Sequence, residues 1–348
     1  MTDTLLEIKD LKVHFPIRSD SLFGRVKNYV KAVDGISFHI KKGETLGLVG
    51  ESGSGKTTVG RSILRAIEPT AGKVIFNLDN EEVDLSQLSN KEMREFRKHL
   101  QLIFQDPYSS LNPRMTVRDI IAEPLVAQKL AKGKKVDERV QEAAALCKLN
   151  IEYLRRFPHA FSGGQRQRIG IARALVSNPQ FIVCDESVSA LDVSIQAEIL
   201  NLLMDLQEKL GFTYLFIAHD LSVVAHISKR VAVMYLGQFV ELAPTKSLFH
   251  APKHPYTEAL MSAIPEVNPD VEMTPVDLKG EIPSPINPPS GCRFHTRCTY
   301  AEDICKTKEP EWKEIEPEHF VSCHFVDSLN LKGVVMPHPS NTPLAGKS

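Results

Sequence analysis

The sequence predicts an α/β protein: a parallel sheet covered on both faces, joined to an antiparallel β subdomain, a helical subdomain and a cysteine-containing C-terminal extension. Three observations predict it. Between Leu6 and Ile40 apolar residues alternate with polar ones in short runs, at Ile8, at Leu11, Val13 and Phe15, and at Val33, Ile36, Phe38 and Ile40; this is the period of antiparallel strands with one buried face. Three compact apolar runs, TLGLVG after the Lys42-Gly43 turn, FIVC from Phe181 to Cys184 and YLFIA from Tyr214 to Ala218, suit parallel strands buried on both sides. Segments with helical spacing separate these runs, and strand, helix, strand in that order builds an α/β core.

The first apolar run feeds into glycines and then a helix containing Ile63 and Leu64. From about Ser109 to Phe161 the chain is mostly helical. Val136, Val140 and Cys147 stand at near-helical spacing, and helices are expected over Val117 to Leu130 and Val136 to Leu149, inside a helical subdomain of about residues 109–175. Ile195, Ile199, Leu202, Leu206 and Leu210 mark a further amphipathic helix, with Gly211 placed to end it. From Pro265 to Gly291 seven prolines fall in 27 residues, too many for a helix or a central strand. The expected divisions are a core over residues 1–250, a proline-rich linker over 251–291, a cysteine-rich extension over 292–330 and a tail over 331–348 with little to bury.

At 348 residues the chain has room for about two domains, each with its own core. Its 42 Lys and Arg balance 43 Asp and Glu, so there is no overall basic field and nucleic acid is not an expected partner. Nothing approaches the roughly 18 uninterrupted apolar residues of a membrane span. The opening MTDTLLEIKD lacks a positive segment followed by an apolar run. A cytosolic chain is expected, and its six cysteines read as thiols or ligands before disulfides. Cys147 and Cys184 fall inside apolar patterns and read as core.

The nine residues Gly50, Glu51, Ser52, Gly53, Ser54, Gly55, Lys56, Thr57 and Thr58 fit G-x-x-x-x-G-K-T between a strand and a helix. Glycines let the backbone curl so that successive N–H groups point at phosphate oxygens, and the helix behind adds the positive end of its dipole. Lys56 would bridge the terminal phosphates and Thr57 would offer its hydroxyl to magnesium. Asp185, at the end of a buried strand, could hold the same ion, and Glu186 is placed to polarise a water that attacks the γ-phosphate. Gln105 and His219 each close an apolar strand-like run, so both could line the sheet edge where phosphates sit. In FSGGQRQRIGIARALV, Ser162 and Gln165 form a capping box at a helix start.

In order, the phosphate loop, Gln105, SGGQ at Ser162, Gly163, Gly164 and Gln165, Cys184-Asp185-Glu186, SALD ending at Asp192, and His219 resemble the nucleotide-binding subunits of ABC transporters over roughly Leu5 to Thr245. The resemblance implies a P-loop NTPase of the ABC cassette type that binds ATP and Mg2+ and works as a head-to-tail dimer. Each ATP would lie between one chain's P-loop and the other's SGGQ helix start. Asp192 would touch the opposite site across the dimer, and His219 would contact the γ-phosphate. Gln105 would sense that phosphate beside Thr57 and Asp185 at the metal and link to the membrane subunits. An aromatic residue would stack on adenine, with Phe15 the first choice and Phe23 and Tyr29 open. Two departures stand out: Phe161 where leucine is common, and Ser187 where proline is common.

QDPYSSLNPRMTV, CDESVSALDVSIQAE and GCRFHTRCTYAEDIC are similar to the ATPases of oligopeptide and dipeptide importers; members also serve nickel, glutathione and oligosaccharide systems. The implied partners are a second ATPase, expected to be a paralogue in a heterodimer, two permeases and an extracytoplasmic solute-binding protein, with this chain on the cytoplasmic side of the membrane. Cys292, Cys298, Cys305 and Cys323 lack the close C-x-x-C pairs of zinc ribbons and match no ferredoxin run. The resemblance favours a 4Fe-4S cluster; His295 and His324 leave a mixed zinc site open, and four metal-free thiols are the third reading. Against the transporter stand a soluble ABC ATPase, which usually carries two cassettes or long coiled-coil insertions, a P-loop kinase, which has no use for SGGQ or SALD, and a metal-sensing module.

Overall fold

The computed structural model describes residues 3–18, 26–79, 81–264, 276, 278 and 280–334. In chain order its strands are β1 (Thr4–Arg18), β2 (Val26–Lys41), β3 (Thr45–Val49), β4 (Ala71–Leu78), β5 (Glu81–Asp84), β6 (Leu100–Ile103), β7 (Phe181–Asp185), β8 (Thr213–Ile217), β9 (Arg230–Tyr235), β10 (Gln238–Pro244), β11 (Lys313–Glu316) and β12 (His319–Val321). The α-helices are α1 (Lys56–Ile63), α2 (Asn90–Phe96), α3 (Val117–Ala127), α4 (Lys134–Leu146), α5 (Gly163–Leu175), α6 (Val193–Leu210), α7 (Leu221–Ile227), α8 (Thr245–His250), α9 (Pro255–Ser262) and α10 (Asp303–Thr307).

The expected two kinds of sheet are both present. One is antiparallel, ordered β2-β1-β4-β5, and the other runs β11-β12-β10-β9-β3-β8-β7-β6. In the second, β9, β3, β8, β7 and β6 run parallel to one another, and their residues are mostly apolar because both faces are covered. Successive side chains still sort by face. Leu46, Leu48, Phe181, Val183, Leu215, Ile217, Ala232 and Met234 join the core shared with the antiparallel sheet and α1. Their neighbours Ile182, Cys184, Tyr214, Phe216, Val231 and Val233 join the core beneath the helices, as the period of two requires. Cys147 and Cys184 are fully buried in that second core.

Helix ends follow local chemistry. Asp192 caps α6, its Oδ1 accepting the Ile195 N–H at 3.1 Å, and Gly211 ends it in the left-handed conformation (φ 71°). Thr116 caps α3 through the Asp119 N–H. Each of α3 and α4 stops three residues short of the expected end, at Ala127 and Leu146.

The C-terminal third departs from expectation. Within the segment assigned to a linker, residues 255–262 form α9, and Tyr256 in it is fully buried. The prolines from Pro265 to Pro275 lie outside the described residues. The extension is not a separate unit held by its cysteines alone, because β12 pairs antiparallel with β10, Glu241 opposite Val321 and Leu242 opposite Phe320, and β11 pairs with β12. A buried network locks this junction. Glu241, with no exposed surface, accepts the Lys253 and His254 N–H groups at 2.8 and 3.0 Å and pairs with His319 Nε2 at 2.8 Å. The tail also begins later than expected: Leu331 is buried, Lys332 N–H donates to Glu258 and Val334 N–H donates to the Phe249 carbonyl at 2.8 Å. No helix among the described residues is long and apolar enough to cross a membrane.

Candidate functional site

β3 ends at Val49, and Gly50 turns the chain at φ 147°, where a Cβ would stand 2.2 Å from the Met234 carbonyl oxygen. Only glycine tolerates that approach. Gly55 then caps α1 in a left-handed conformation, and no side chain caps the helix, so its first N–H groups stay available to an anion. Lys56 opens α1, is 5% exposed, and donates to the Gly50 and Glu51 carbonyls at 2.7 and 3.0 Å. Burial lowers its pKa, while the carboxylates of Glu186, Asp185 and Glu51 oppose that shift. Among the described residues the buried Ser54 hydroxyl has no hydrogen-bond partner. An uncapped helix start, a buried ammonium held only by carbonyls and an orphaned hydroxyl fit a polyphosphate that supplies oxygen to all three.

Strand β7 delivers the acids. Asp185, 2% exposed, accepts the Thr57 hydroxyl at 2.8 Å through Oδ1 and lies 3.4 Å from Arg61 through Oδ2. A hydroxyl and a carboxylate oxygen side by side are hard donors suited to magnesium. Glu186 sits at φ 48°, its N–H donating to the Ile217 carbonyl at 2.9 Å, and this turn swings its carboxylate away from the strand line. Gln105 Nε2 donates to Glu186 Oε2 at 2.6 Å, and His219 Nδ1 stands 3.8 Å from the same oxygen. Four segments far apart in sequence thus meet at the C-terminal edge of the parallel strands. Gln105 is turned to Glu186 rather than to the Thr57–Asp185 pair.

The SGGQ segment forms the expected capping box. Ser162 Oγ accepts the Gln165 N–H at 3.4 Å, and Gln165 Oε1 accepts the Ser162 N–H at 3.0 Å. Gly163 and Gly164 open α5. A Cβ on Gly164 would meet Ile195 of α6 at 2.4 Å, so glycine permits the close helix packing. Among the described residues, no hydrogen bond of Ser162, Gln165 or Asp192 reaches the P-loop of the same chain. Phe161 is buried, and so is Ser187, whose hydroxyl has no hydrogen-bond partner among the described residues. Phe15 and Tyr29 are 39% and 48% exposed on adjacent strands, Phe15 opposite Val30 and Tyr29 opposite Pro16; Phe23 lies outside the described residues.

All six cysteines are free. Burial pushes the thiols of Cys292 and Cys298 up to about 12 and about 11. Among the described residues no three His, Cys, Asp or Glu side chains are arranged to hold a metal ion. The expected four-cysteine centre at Cys292, Cys298, Cys305 and Cys323 therefore does not fit a metal in this geometry, and neither His295 nor His324 completes one. His295 Nδ1 pairs with the Cys292 carbonyl and His324 Nε2 with the Lys308 carbonyl, each at 2.8 Å.

Two features went unread in the sequence. Tyr108 covers the Arg166 guanidinium, 4.1 Å from its ring centroid, joining the segment after Gln105 to α5. Arg297, from the extension, forms a two-pronged ion pair with Glu51 of the P-loop. A groove of about 700 Å³ also opens beside Gln105, lined by Leu102, Phe104, Met115, Ile120, Pro124 and Arg173 among others.

The ABC transporter family model matches residues 33–189, and the model of the oligopeptide/dipeptide transporter C-terminal region matches residues 240–305. The oligopeptide transport ATP-binding protein AppF of Bacillus subtilis is 54% identical over 325 residues, covering 92% of this chain and 97% of its own length. Among solved structures, the ATP-binding cassette MJ0796, a dimer in a post-hydrolysis state bound to ADP and Pi, is 27% identical with a TM-score of 0.60 over 69% of this chain and 99% of its own. The Clostridium perfringens protein cbiO1, part of the ABC transporter complex cbiONQ, is 26% identical with a TM-score of 0.60 over 71% of this chain and 91% of its own.

Proposed function

We propose, for a chain that belongs to the ABC transporter family and to its oligopeptide/dipeptide branch, the role of ATP-hydrolysing subunit in peptide import. The observation that carries it is the meeting of Lys56, the Thr57–Asp185 pair and the Glu186–Gln105–His219 group at one sheet edge. Lys56 exchanges its two carbonyl partners for β- and γ-phosphate oxygens. Thr57 and Asp185 would hold magnesium, which when bound would neutralise charge on the phosphate oxygens. Glu186 accepts the proton of the attacking water, with Gln105 orienting its carboxylate and His219 facing the γ-phosphate. Adenine stacks on Phe15, with Phe23 and Tyr29 as the alternatives.

The other half of each site comes from a partner. The N-terminus of α5, with Ser162, Gly163, Gly164 and Gln165, offers N–H groups and a dipole to the γ-phosphate held by the second ATPase, and Asp192 meets that site from α6. The capping box supplies those groups with internal partners until the dimer closes. The partner ATPase is a paralogue, and a second copy of this chain can take the same place. The groove beside Phe104, whose lining mixes apolar side chains with Arg97, Gln101, Glu123 and Arg173, receives a helix of a permease, so that closure moves two permeases on the cytoplasmic side of the membrane; an extracytoplasmic protein selects the solute. The test is purification from membranes followed by reconstitution. Two permeases and a second ATPase are expected to accompany this chain, and ATP-driven uptake of oligopeptides or dipeptides should follow. Uptake of nickel, glutathione or an oligosaccharide instead would reassign the solute, and full ATPase activity in a strictly monomeric chain would overturn the role.

A 4Fe-4S cluster, with zinc as the alternative, is a separate proposal on the four terminal cysteines. Burial raises the thiol pKa of Cys292, Cys298 and Cys323, with the backbone N–H groups of Phe294, Tyr300 and Phe325 acting against that shift; burial and the side-chain placement both oppose thiolate ligands, and the proposal rests on the resemblance to cysteine-rich importer ATPases. Anaerobically purified protein with a cluster will be brown with broad visible absorption, whereas colourless protein with stoichiometric zinc selects the alternative. No step of hydrolysis depends on either.

A further inference from the structure

The residues 292–298, GCRFHTRC without its first glycine, fold into a tight turn: the Arg297 and Cys298 N–H groups both donate to the Phe294 carbonyl at 3.0 Å. Phe294, 1% exposed, anchors the turn against Tyr235 and Tyr256, each with its ring centroid 5.2 Å away. Arg293 reaches Asp34 and the Leu236 carbonyl. Arg297 projects the other way, into the P-loop. Its Nη1 donates to Glu51 Oε2 at 2.7 Å and its Nη2 to Glu51 Oε1 at 3.1 Å, the parallel geometry that makes arginine–carboxylate pairs strong. The Arg297 side chain is 8% exposed and that of Glu51 23%, so the pair is only partly screened by water. The backbone of the same residue is held too, since the Glu51 N–H donates to the Tyr256 hydroxyl at 2.9 Å.

We propose that the C-terminal extension is a working part of the nucleotide site, with Arg297 as a positioning residue that fixes Glu51 and cancels its charge where the triphosphate binds. The inference rests on the reading of the loop as an ATP site. Glu51 is the one acid inside that loop, and its carboxylate is close enough to act on Lys56. Left alone, it would repel a ligand carrying several negative charges and compete with that ligand for Lys56. Arg297 removes both effects without occupying the phosphate cradle, and it does so from a segment that also carries Cys292 and Cys298. Any event that shifts this turn is thereby transmitted to ATP affinity.

The test uses the full-length chain and a fluorescent ATP analogue with Mg2+, with turnover read in parallel. Arg297→Ala should weaken binding about tenfold, through an unpaired carboxylate beside the phosphates, and change kcat at saturating ATP by less than about twofold. Adding Glu51→Gln to Arg297→Ala should recover most of the lost affinity, because the repelling charge is gone. Arg297→Lys, which keeps the charge and loses the two-pronged geometry, should fall between wild type and Arg297→Ala, and it carries the comparison if Arg297→Ala folds poorly. Equal affinity in wild type and Arg297→Ala overturns the proposal; so does a double variant as weak as Arg297→Ala, which would leave only a packing role. A wild-type chain that binds no ATP would instead overturn the reading of the loop itself.

Discussion

Glu186→Gln should cut ATP turnover by about 10²–10⁴-fold, the usual worth of a positioned general base, while ATP binding survives. The geometry separates the two effects. The Glu186 carboxylate touches neither Lys56 nor the Thr57–Asp185 pair through a hydrogen bond; its side-chain contacts are Gln105 at 2.6 Å and His219 at 3.8 Å. A glutamine keeps a carbonyl oxygen to accept the Gln105 amide, so the local arrangement persists and only the proton acceptor is lost. Removing one negative charge near Lys56 should if anything favour a polyanionic ligand. ATP held but not split should then trap the closed pair of ATPases, seen as an ATP-dependent dimer in size-exclusion chromatography. Single-turnover hydrolysis is the decisive measurement, and a rate equal to wild type would take the general-base role away from Glu186.

Most of this site was legible because its signals are local. Nine consecutive residues define the phosphate loop, and the strand before it and the helix after it are visible from period and composition. Glu186 and Asp185 adjoin a strand whose five residues are all buried, so their position at its end could be read directly. What escaped notice depends on distant pairs. Arg297 and Glu51 are 246 residues apart, and an arginine between two cysteines looks like the flank of a metal ligand until the fold brings it to the loop. The strands KEIE and HFV are too short and too polar to announce themselves; they form because β10 offers an open edge, and His319 is drawn in by the buried Glu241. α9 was hidden by a proline-rich neighbourhood, although Pro255 stands at its first turn, where a missing N–H costs nothing. Four clustered cysteines and the resemblance to importer ATPases suggested a metal, but neither sets the direction of side chains, and among the described residues no three His, Cys, Asp or Glu side chains are arranged to hold an ion.

Ser162→Arg should leave ATP on the variant's own P-loop and stop hydrolysis at the site whose P-loop belongs to the partner. In the single chain Ser162 only caps α5, and loss of that cap costs about 1 kcal/mol of helix stability, too little to unfold a helix whose inward face buries Ile169, Ile171, Ala172 and Leu175. A larger effect appears only when a second subunit presents its γ-phosphate to this helix start. Arginine then fills the space of the phosphate oxygens and removes a hydrogen-bond donor, and loss of one such donor typically costs about 10²–10³ in rate. In dimers of this chain the consequence is sharp. Ser162→Arg alone damages both sites, and Lys56→Ala alone damages both. A mixed dimer of the two variants gathers both lesions at one site and leaves the other with an intact Lys56 and an intact Ser162. Mixing two inactive preparations should therefore restore hydrolysis, whereas two lesions acting within one subunit would leave the mixture inactive, and that result would remove the shared site on which the transport reading depends.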